Sequence, residues 1–342
     1  MANLTVGIDV SQDTLDVSVG APETGVRFLG TFANDPERFD ELAAALRQEL
    51  EARGSTAIHL VMEPTGGYEL PLARFALKQN WQVSLPNPRQ VHDWAKGQGR
   101  RSKTDRQDSM MLTGYGMSTN PPTWQPLPEA VAELDALLER RVDLKSMLRQ
   151  ELNRRHALEA QRAYQGPVAK SIDQAITWLE NALAEIEKAI RQHMDDHPDL
   201  KQEAQRLRTV PGVGERNVLD ILVFLHRYAV LSNNQGTGKG ATAQAGLDPV
   251  HRQSGTSLHK RSLISRQGDK RIRSTLFMGA FGGVHGNNPL RAFYQNLVQR
   301  GKLKRVALVA AARKLLVWAW AVFQSQGEFD PQRAQARHVA TA

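Results

Sequence analysis

Three runs near the start of the chain, LTVGIDV, TLDVSVG and GVRFLGTF, put apolar or β-branched residues at every second position and are divided by short polar or Gly/Pro-bearing breaks. A period of two marks a strand with one buried face, and links this short join antiparallel neighbours. Helical spacing follows in NDPERFDELAAALRQELEA, where Phe39, Leu42, Leu46 and Leu50 share a stripe; TAIHLVME then reads as a buried strand ending at Glu63. A second helix begins near Tyr68, and WQVSLP is a short strand. Three strands, a helix, a strand, a helix and a strand predict a mixed sheet flanked by helices, so this part of the chain is α/β.

The remainder is read as helix and loop. Between Pro86 and Lys103 the sequence is polar, Gly-bearing and basic, and a helix then starts at TDRQDSMMLTGYGM, with Thr104 and Gln107 spaced as a capping box. After the Pro-rich break STNPPTWQPLPEA come two long helices. In the second, Ile172, Ile176, Leu179, Leu183, Ile186 and Ile190 repeat at four and three residues, a heptad seam that calls for a partner helix. A third region from about Leu200 is predicted to be all helix and loop, and the end, GEFDPQRAQARHVATA, to be a disordered tail. The expected division is 1–120, 121–198, 199–326 and a tail 327–342, an α/β domain followed by all-α parts.

At 342 residues the chain exceeds what one core usually holds, which also points to two domains or more. A formal charge of +8 favours an anionic partner, with nucleic acid the commonest for a basic protein of this size; a merely basic surface is the bland alternative. There is no cysteine, so disulfides, thiolate metal sites and thiol nucleophiles are excluded, and a reducing cytoplasm fits. Met1 to Val10 lacks the basic start and long apolar stretch of a signal peptide. VALVAAARKLLVWAWAVF is interrupted by Arg313 and Lys314, and reads as a core helix with no membrane role.

Asp105 and Asp108 stand three apart on one helix, so they share a face and repel unless a cation lies between them. Hard Mg²⁺ or Mn²⁺ takes carboxylate oxygens and resolves that repulsion. Asp9 and Glu63, each at a strand end, can point to the same place, and four carboxylates make a two-metal phosphodiester site. A pair of this spacing is more often solvated surface, but its position after a basic loop and a strand ending in MEPTGGY raises the catalytic reading.

The order of GIDVS, LDV, MEPTGGY, NP, KTDRQDS, a long helical middle, VPGVG, AGLDP and SGTS resembles the bridge-RNA-guided DEDD transposases, or recombinases, of insertion sequences, from about Val6 to Phe323. The resemblance implies a RuvC-like, RNase H-like N-terminal nuclease domain, a coiled-coil insertion and a C-terminal transposase domain with a serine nucleophile. It assigns Asp9, Glu63, Asp105 and Asp108 to a metal-binding tetrad that takes Mg²⁺ or Mn²⁺, and Ser254, which follows the Gly246-Leu247-Asp248-Pro249 motif and precedes Gly255, to the nucleophile. Thr256 and Ser257 are neighbouring hydroxyls. Where members of that family often carry Ser-Lys-x-Gly, this chain has Ser265-Arg266-Gln267-Gly268, and arginine keeps the charge.

The implied chemistry is strand exchange through a phosphoserine link, which retains the phosphodiester energy and needs no ATP; a composite site built between subunits is one way to unite two halves so far apart in sequence. Implied partners are element-end and target DNA, an element-encoded noncoding guide RNA, and a second copy of the chain, joined through the coiled coil from about Glu129 to Met194 into dimers and tetramers on DNA. The expected location is the cytoplasm of a prokaryote, at the nucleoid. Candidate nucleic-acid contacts are Arg100, Arg101 and Lys103 in the basic loop, and Arg252, Lys260, Arg261, Arg266, Lys270, Arg271 and Arg273 around Ser254, read as a phosphate clamp. Gly212 and Gly214 of VPGVG either let backbone amides approach a phosphate, as in helix-hairpin-helix elements, or form a tight helix-helix turn.

Two motifs fail on inspection. GTGKGAT has Asn233 where a P-loop needs glycine and Gly240 where it needs Ser or Thr, and HMDDH lacks the glutamate of a zinc hydrolase. Rival readings are a RuvC-type nuclease that hydrolyses branched DNA, an actin-like ATPase or sugar kinase suggested by GIDVSQDTLDVSV, and a binding scaffold without chemistry.

Overall fold

In the computed structural model, which describes residues 3–98, 105–254 and 258–332 (by backbone alone at 105 and 251–262), the three alternating runs form β1 (Asn3–Val10), β2 (Thr14–Ala21) and β3 (Gly25–Ala33). They pair antiparallel with β2 in the middle. Helix α1 (Phe39–Ala52) leads to β4 (Ala57–Met62), and α2 (Leu70–Lys78) to β5 (Gln82–Ser84). Both crossovers return parallel, so the sheet order is β3-β2-β1-β4-β5. The mixed α/β sheet expected from the sequence is what forms.

The two faces of this sheet follow residue parity. Leu4, Val6 and Ile8 of β1 and Ile58, Leu60 and Met62 of β4 join a core with Phe39, Leu42 and Leu46 of α1 and Leu72 and Ala76 of α2. The odd-numbered residues of β1 and β4 face the other side, which α3 (Pro88–Gly97) and α4 (Asp105–Thr119) cover. Helix α3 corrects the sequence reading of that stretch as loop. Asn87 caps it by accepting from the Arg89 amide at 2.9 Å, Pro88 fits the first turn, and Trp94 packs edge-on against Tyr115 of α4 at 5.7 Å.

The chain divides into two compact units, Met1–Pro126 with Val230–Ser232, and Leu127–Ala229 with Asn233–Ala342. In the second, α5 (Glu129–Ala160) and α6 (Gly166–Asp196) form an antiparallel hairpin, shown by the Lys145–Glu187 pair at 3.3 Å and by His193 Nε2 against Ala130 O at 2.8 Å. The heptad seam of α6 therefore finds a partner helix within its own chain. Then come α7 (Pro198–Arg208), α8 (Val218–Leu231), α9 (Gly238–Gln244), a hairpin of β6 (Pro249–Ser254) and β7 (Leu258–Ile264), and α10 (Lys270–Gly283), α11 (Pro289–Gln299) and α12 (Lys304–Ser325). The β6–β7 hairpin corrects the expectation of helix and loop alone.

Helices α8 and α12 supply the centre of this unit's core, including Ile221, Leu222, Leu225, Ala311, Leu315 and Trp320. Helix α12 has the length and apolar content to cross a membrane, yet half of that stretch is buried in the unit. The first residues of the expected tail are packed as well: Phe329 lies on Trp318 at 5.0 Å, and its amide donates to Thr209 Oγ1 at 2.8 Å. The rest of that tail, 333–342, lies outside the described residues.

Candidate active site

Asp9 is the penultimate residue of β1, and Glu63 immediately follows β4. The parallel register pairs Ile8 with Met62, so the next step along each strand brings Asp9 and Glu63 side by side. Parity places both on the face covered by α4, since Val61 packs there with Leu112 and Tyr115. Helix α4 runs against β1: its Ser109 and Thr113 lie over Gly7, and Gly116 lies over Thr5 and Val61. The first turn, which begins at Asp105 and contains Asp108, thus comes to the end of the sheet where Asp9 and Glu63 stand.

Glycine and hydroxyls make this approach possible. A Cβ on Gly7 would sit 2.3 Å from Ser109 O and 2.3 Å from Thr113 N, so only glycine lets α4 lie on the strand. The Gly7 amide donates to Thr113 Oγ1 at 3.0 Å, and the Ser18 and Ser109 hydroxyls meet at 2.8 Å. These bonds are buried and sit within about a turn and a half of Asp108, which fixes the helix along its axis.

Asp9, Glu63 and Asp108 are half-buried oxygen donors at one end of one face, the donor chemistry that a hard divalent cation takes. Among the described residues no group of three or more His, Asp or Glu closes on a metal-sized point; the Asp105 side chain is outside them. The loop after Glu63 is held by Glu69, whose buried carboxylate accepts from the Thr65 amide at 2.9 Å and the Gly67 amide at 3.1 Å. Thr65 Oγ1 donates to Glu63 O at 3.1 Å, so Glu69 secures the backbone that carries Glu63.

In the second unit the β6–β7 ladder runs from Pro249 opposite Ile264 to Ser254 opposite Leu258. Ser254 therefore ends its strand at the far end of the ladder from Pro249; residues 255–257, which include Thr256 and Ser257, lie outside the described residues. The root is clasped. The Ser265 amide donates to Asp248 O at 2.9 Å, the Ser265 hydroxyl donates to the Asp248 carboxylate, and the Arg266 amide donates to Gly246 O at 3.1 Å.

Comparison with known proteins decides what this arrangement belongs to. Residues 6–160 match a model of IS110-type DEDD elements described as a transposase, and residues 204–295 match one described as the transposase IS116/IS110/IS902 family. The pilin gene-inverting proteins of Moraxella bovis and Moraxella lacunata are each 33% identical over 331 residues, covering 96% of this chain and 98% of theirs. A 43.6 kDa protein of insertion element IS110 from Streptomyces coelicolor is 26% identical over 169 residues, 49% of this chain and 39% of that one. The chain belongs to the IS110 family of DEDD transposases. As an IS110-family transposase it is a DNA recombinase, and its substrate is DNA.

The basic residues expected to serve this transposase divide once their contacts are known. Arg271 does not reach outward: its Nε donates to Asp220 at 3.0 Å, inside a cluster that Arg141 joins at 3.1 Å. Arg273 donates to the carbonyls of Gly268, at 2.7 Å, and Ala245, at 3.3 Å, so it too has bonds within the fold. Lys270 and Arg266 are exposed beside the hairpin root. The side chains of Arg252, Lys260 and Arg261, and all of Arg100, Arg101, Lys103 and Thr104, the last expected to cap α4, lie outside the described residues.

The VPGVG turn joins α7 to α8. Gly212, at φ +93°, packs on α10, and a Cβ there would meet Gly279 O at 2.7 Å, which is the tight helix-helix turn. Gly214 faces open space, and its amide donates to Asn217 Oδ1 at 2.7 Å. Glu69, Asp248 and Asp220 were not singled out from the sequence: Asp220 and Asp248 act through side chains that folding brings near, and Glu69 through the amides of its own loop.

Proposed function

We propose that this IS110-family transposase exchanges DNA strands through a phosphoserine intermediate on Ser254, with Asp9, Glu63, Asp105 and Asp108 as its metal-holding acids and an element-encoded RNA as its guide. The observation that carries the reading is the meeting of Asp9, Glu63 and the first turn of α4 at one end of one sheet face. A bound Mg²⁺ or Mn²⁺ would supply polarisation of the scissile phosphate and offset the charge of the four carboxylates. The acids hold that site in a fixed geometry because α4 is pinned to β1 and β2, and Glu69 keeps the Glu63 backbone from shifting.

Ser254 at the end of a two-stranded ribbon suits a nucleophile that must enter a DNA groove. Its Oγ forms the bond to phosphorus, the deoxyribose oxygen leaves and takes up a proton, and attack by the hydroxyl of an exchanged strand reverses the link. Guidance by RNA rests on the resemblance to the bridge-RNA-guided family alone, since the charge of +8 suits DNA and RNA alike. The name of the Moraxella relatives, pilin gene-inverting proteins, favours DNA inversion as one outcome of the same chemistry. Pairing of copies along the α5–α6 hairpin is supported by Val142, Met147, Val168 and Trp178, which are exposed on it.

The test is reconstitution of the full chain with its element's noncoding RNA, donor and target DNA and Mg²⁺. Recombinant junctions should form only when all are present. Junctions made without RNA would overturn the guidance, and hydrolysed ends without junctions would overturn the strand exchange.

A further inference from the structure

A cleft of about 710 Å³ opens at the base of the helical hairpin in the second unit, walled by α5, α6, α7 and the start of α8. Six cations line it, Arg141, Lys145, Arg191, Lys201, Arg208 and Arg216, against the three acids Glu187, Asp195 and Glu215. Its floor is apolar, formed by Ile190, Met194, Ala204 and Leu219. Neither Asp9 and its fellow acids nor Ser254 belongs to it.

The pairing within this cleft leaves positive charge in excess. Lys145 meets Glu187 at 3.3 Å, Lys201 meets Asp195 at 2.6 Å and Arg208 meets Glu215 at 3.7 Å. Arg141 turns to Asp220 at 3.1 Å. Arg191 and Arg216 are exposed, and no ion pair holds either among the described residues. The three rim pairs are solvent-exposed, where such contacts contribute little and a phosphate replaces the carboxylate at small cost. The stripe continues on α5, where Arg141, Lys145 and Arg149 recur every four residues on one face.

We infer that this cleft binds the sugar-phosphate backbone of one nucleic-acid strand, with Arg191 and Arg216 as its principal phosphate contacts and the apolar floor taking a sugar or base face. The inference rests on the charge of the cleft and on the family's DNA substrate; it is independent of the serine, the acids and the guide. DNA and RNA present the same phosphodiester chemistry, so the experiment separates them.

The experiment measures the affinity of the full chain for a labelled DNA single strand and a labelled RNA single strand across a range of salt concentrations, for wild type and for Arg191→Ala with Arg216→Ala. Loss of two single-strand phosphate contacts lowers the slope of log affinity against log salt by about 1.4. A control removing two exposed cations elsewhere, Lys78→Ala with Lys170→Ala, should leave the slope at its wild-type value. A photoreactive residue at exposed Gln205, which lines the cleft, should cross-link the strand that shows the drop. A drop confined to DNA or to RNA names the occupant. No drop with either strand, an equal drop in the control, or no cross-link from Gln205 overturns the inference; matched melting temperatures exclude misfolding as the cause.

Discussion

Gly7 is the residue on which the acidic edge depends most. Alanine there would drive a Cβ to 2.3 Å from backbone atoms of α4, and backbone cannot swing aside as a side chain can. We expect Gly7→Ala to destabilise the chain by about 3 kcal/mol in urea unfolding, the upper range for overpacking, and to abolish DNA cleavage because Asp105 and Asp108 ride on the displaced helix. Unchanged stability would show that α4 does not lie on β1 so closely. His59 gives a second prediction. It is buried, its Nε2 lies 2.8 Å from Ser84 Oγ, and Ser84 donates onward to Pro121 O at 3.0 Å, so the ring serves as a neutral donor. Burial lowers its pKa below the ordinary histidine value. The unfolded chain therefore binds a proton that the folded chain refuses: stability is full above about pH 7 and falls as pH drops below about 6.5. Melting temperatures measured from pH 8 to pH 5 should show that fall in wild type and a smaller one in His59→Gln; parallel curves would contradict it.

At the scale of elements, the hairpin that bears Ser254 is positioned from its root. Ser265 joins the root to Asp248 by an amide and a hydroxyl, and Arg273 ties Gly268 to Ala245. Ser265→Ala removes one of these contacts without opening a core, so we expect a melting temperature within a few degrees of wild type and a several-fold slower formation of protein-linked DNA. Equal rates would mean that the root does not set the position of the tip. The elements also differ in how legible they were. Strands β1, β2 and β3 could be read because their apolar or β-branched residues alternate, and β4 because it is a short apolar run between polar breaks. The β6–β7 ribbon could not, since HRQSGTSLHKRS carries almost no apolar alternation and a two-stranded ribbon buries little. Helix α3 was concealed by its polar sequence, although Asn87-Pro88 and the spacing of Val91, Trp94 and Ala95 were a usable signal. Asp9, Glu63 and Asp108 stood out by their places at element ends. The internal bonds of Arg271 and Arg273 were not legible, because a local count of charge sees neither Asp220, 51 residues away from Arg271, nor the backbone carbonyls that Arg273 meets.

For the whole molecule, two units have separate cores, with an acid-bearing sheet edge in one and a serine-tipped ribbon in the other, and the proposed mechanism draws one half of its chemistry from each. The two family models match residues 6–160 and 204–295 in turn, so the family extends over both units. A chain of charge +8 with a basic cleft beside its helical hairpin has the means to hold more than one nucleic-acid strand while strands are exchanged. The central claim is that Ser254 links covalently to DNA with the help of the acids. The most direct measurement incubates the full chain with its noncoding RNA, labelled element-end DNA and Mg²⁺, and resolves the products on a denaturing gel. The account predicts a protein-linked DNA band in wild type that disappears in both Ser254→Ala and Asp108→Ala. Cleaved free ends that persist in Ser254→Ala would contradict it and would make the protein a hydrolytic nuclease.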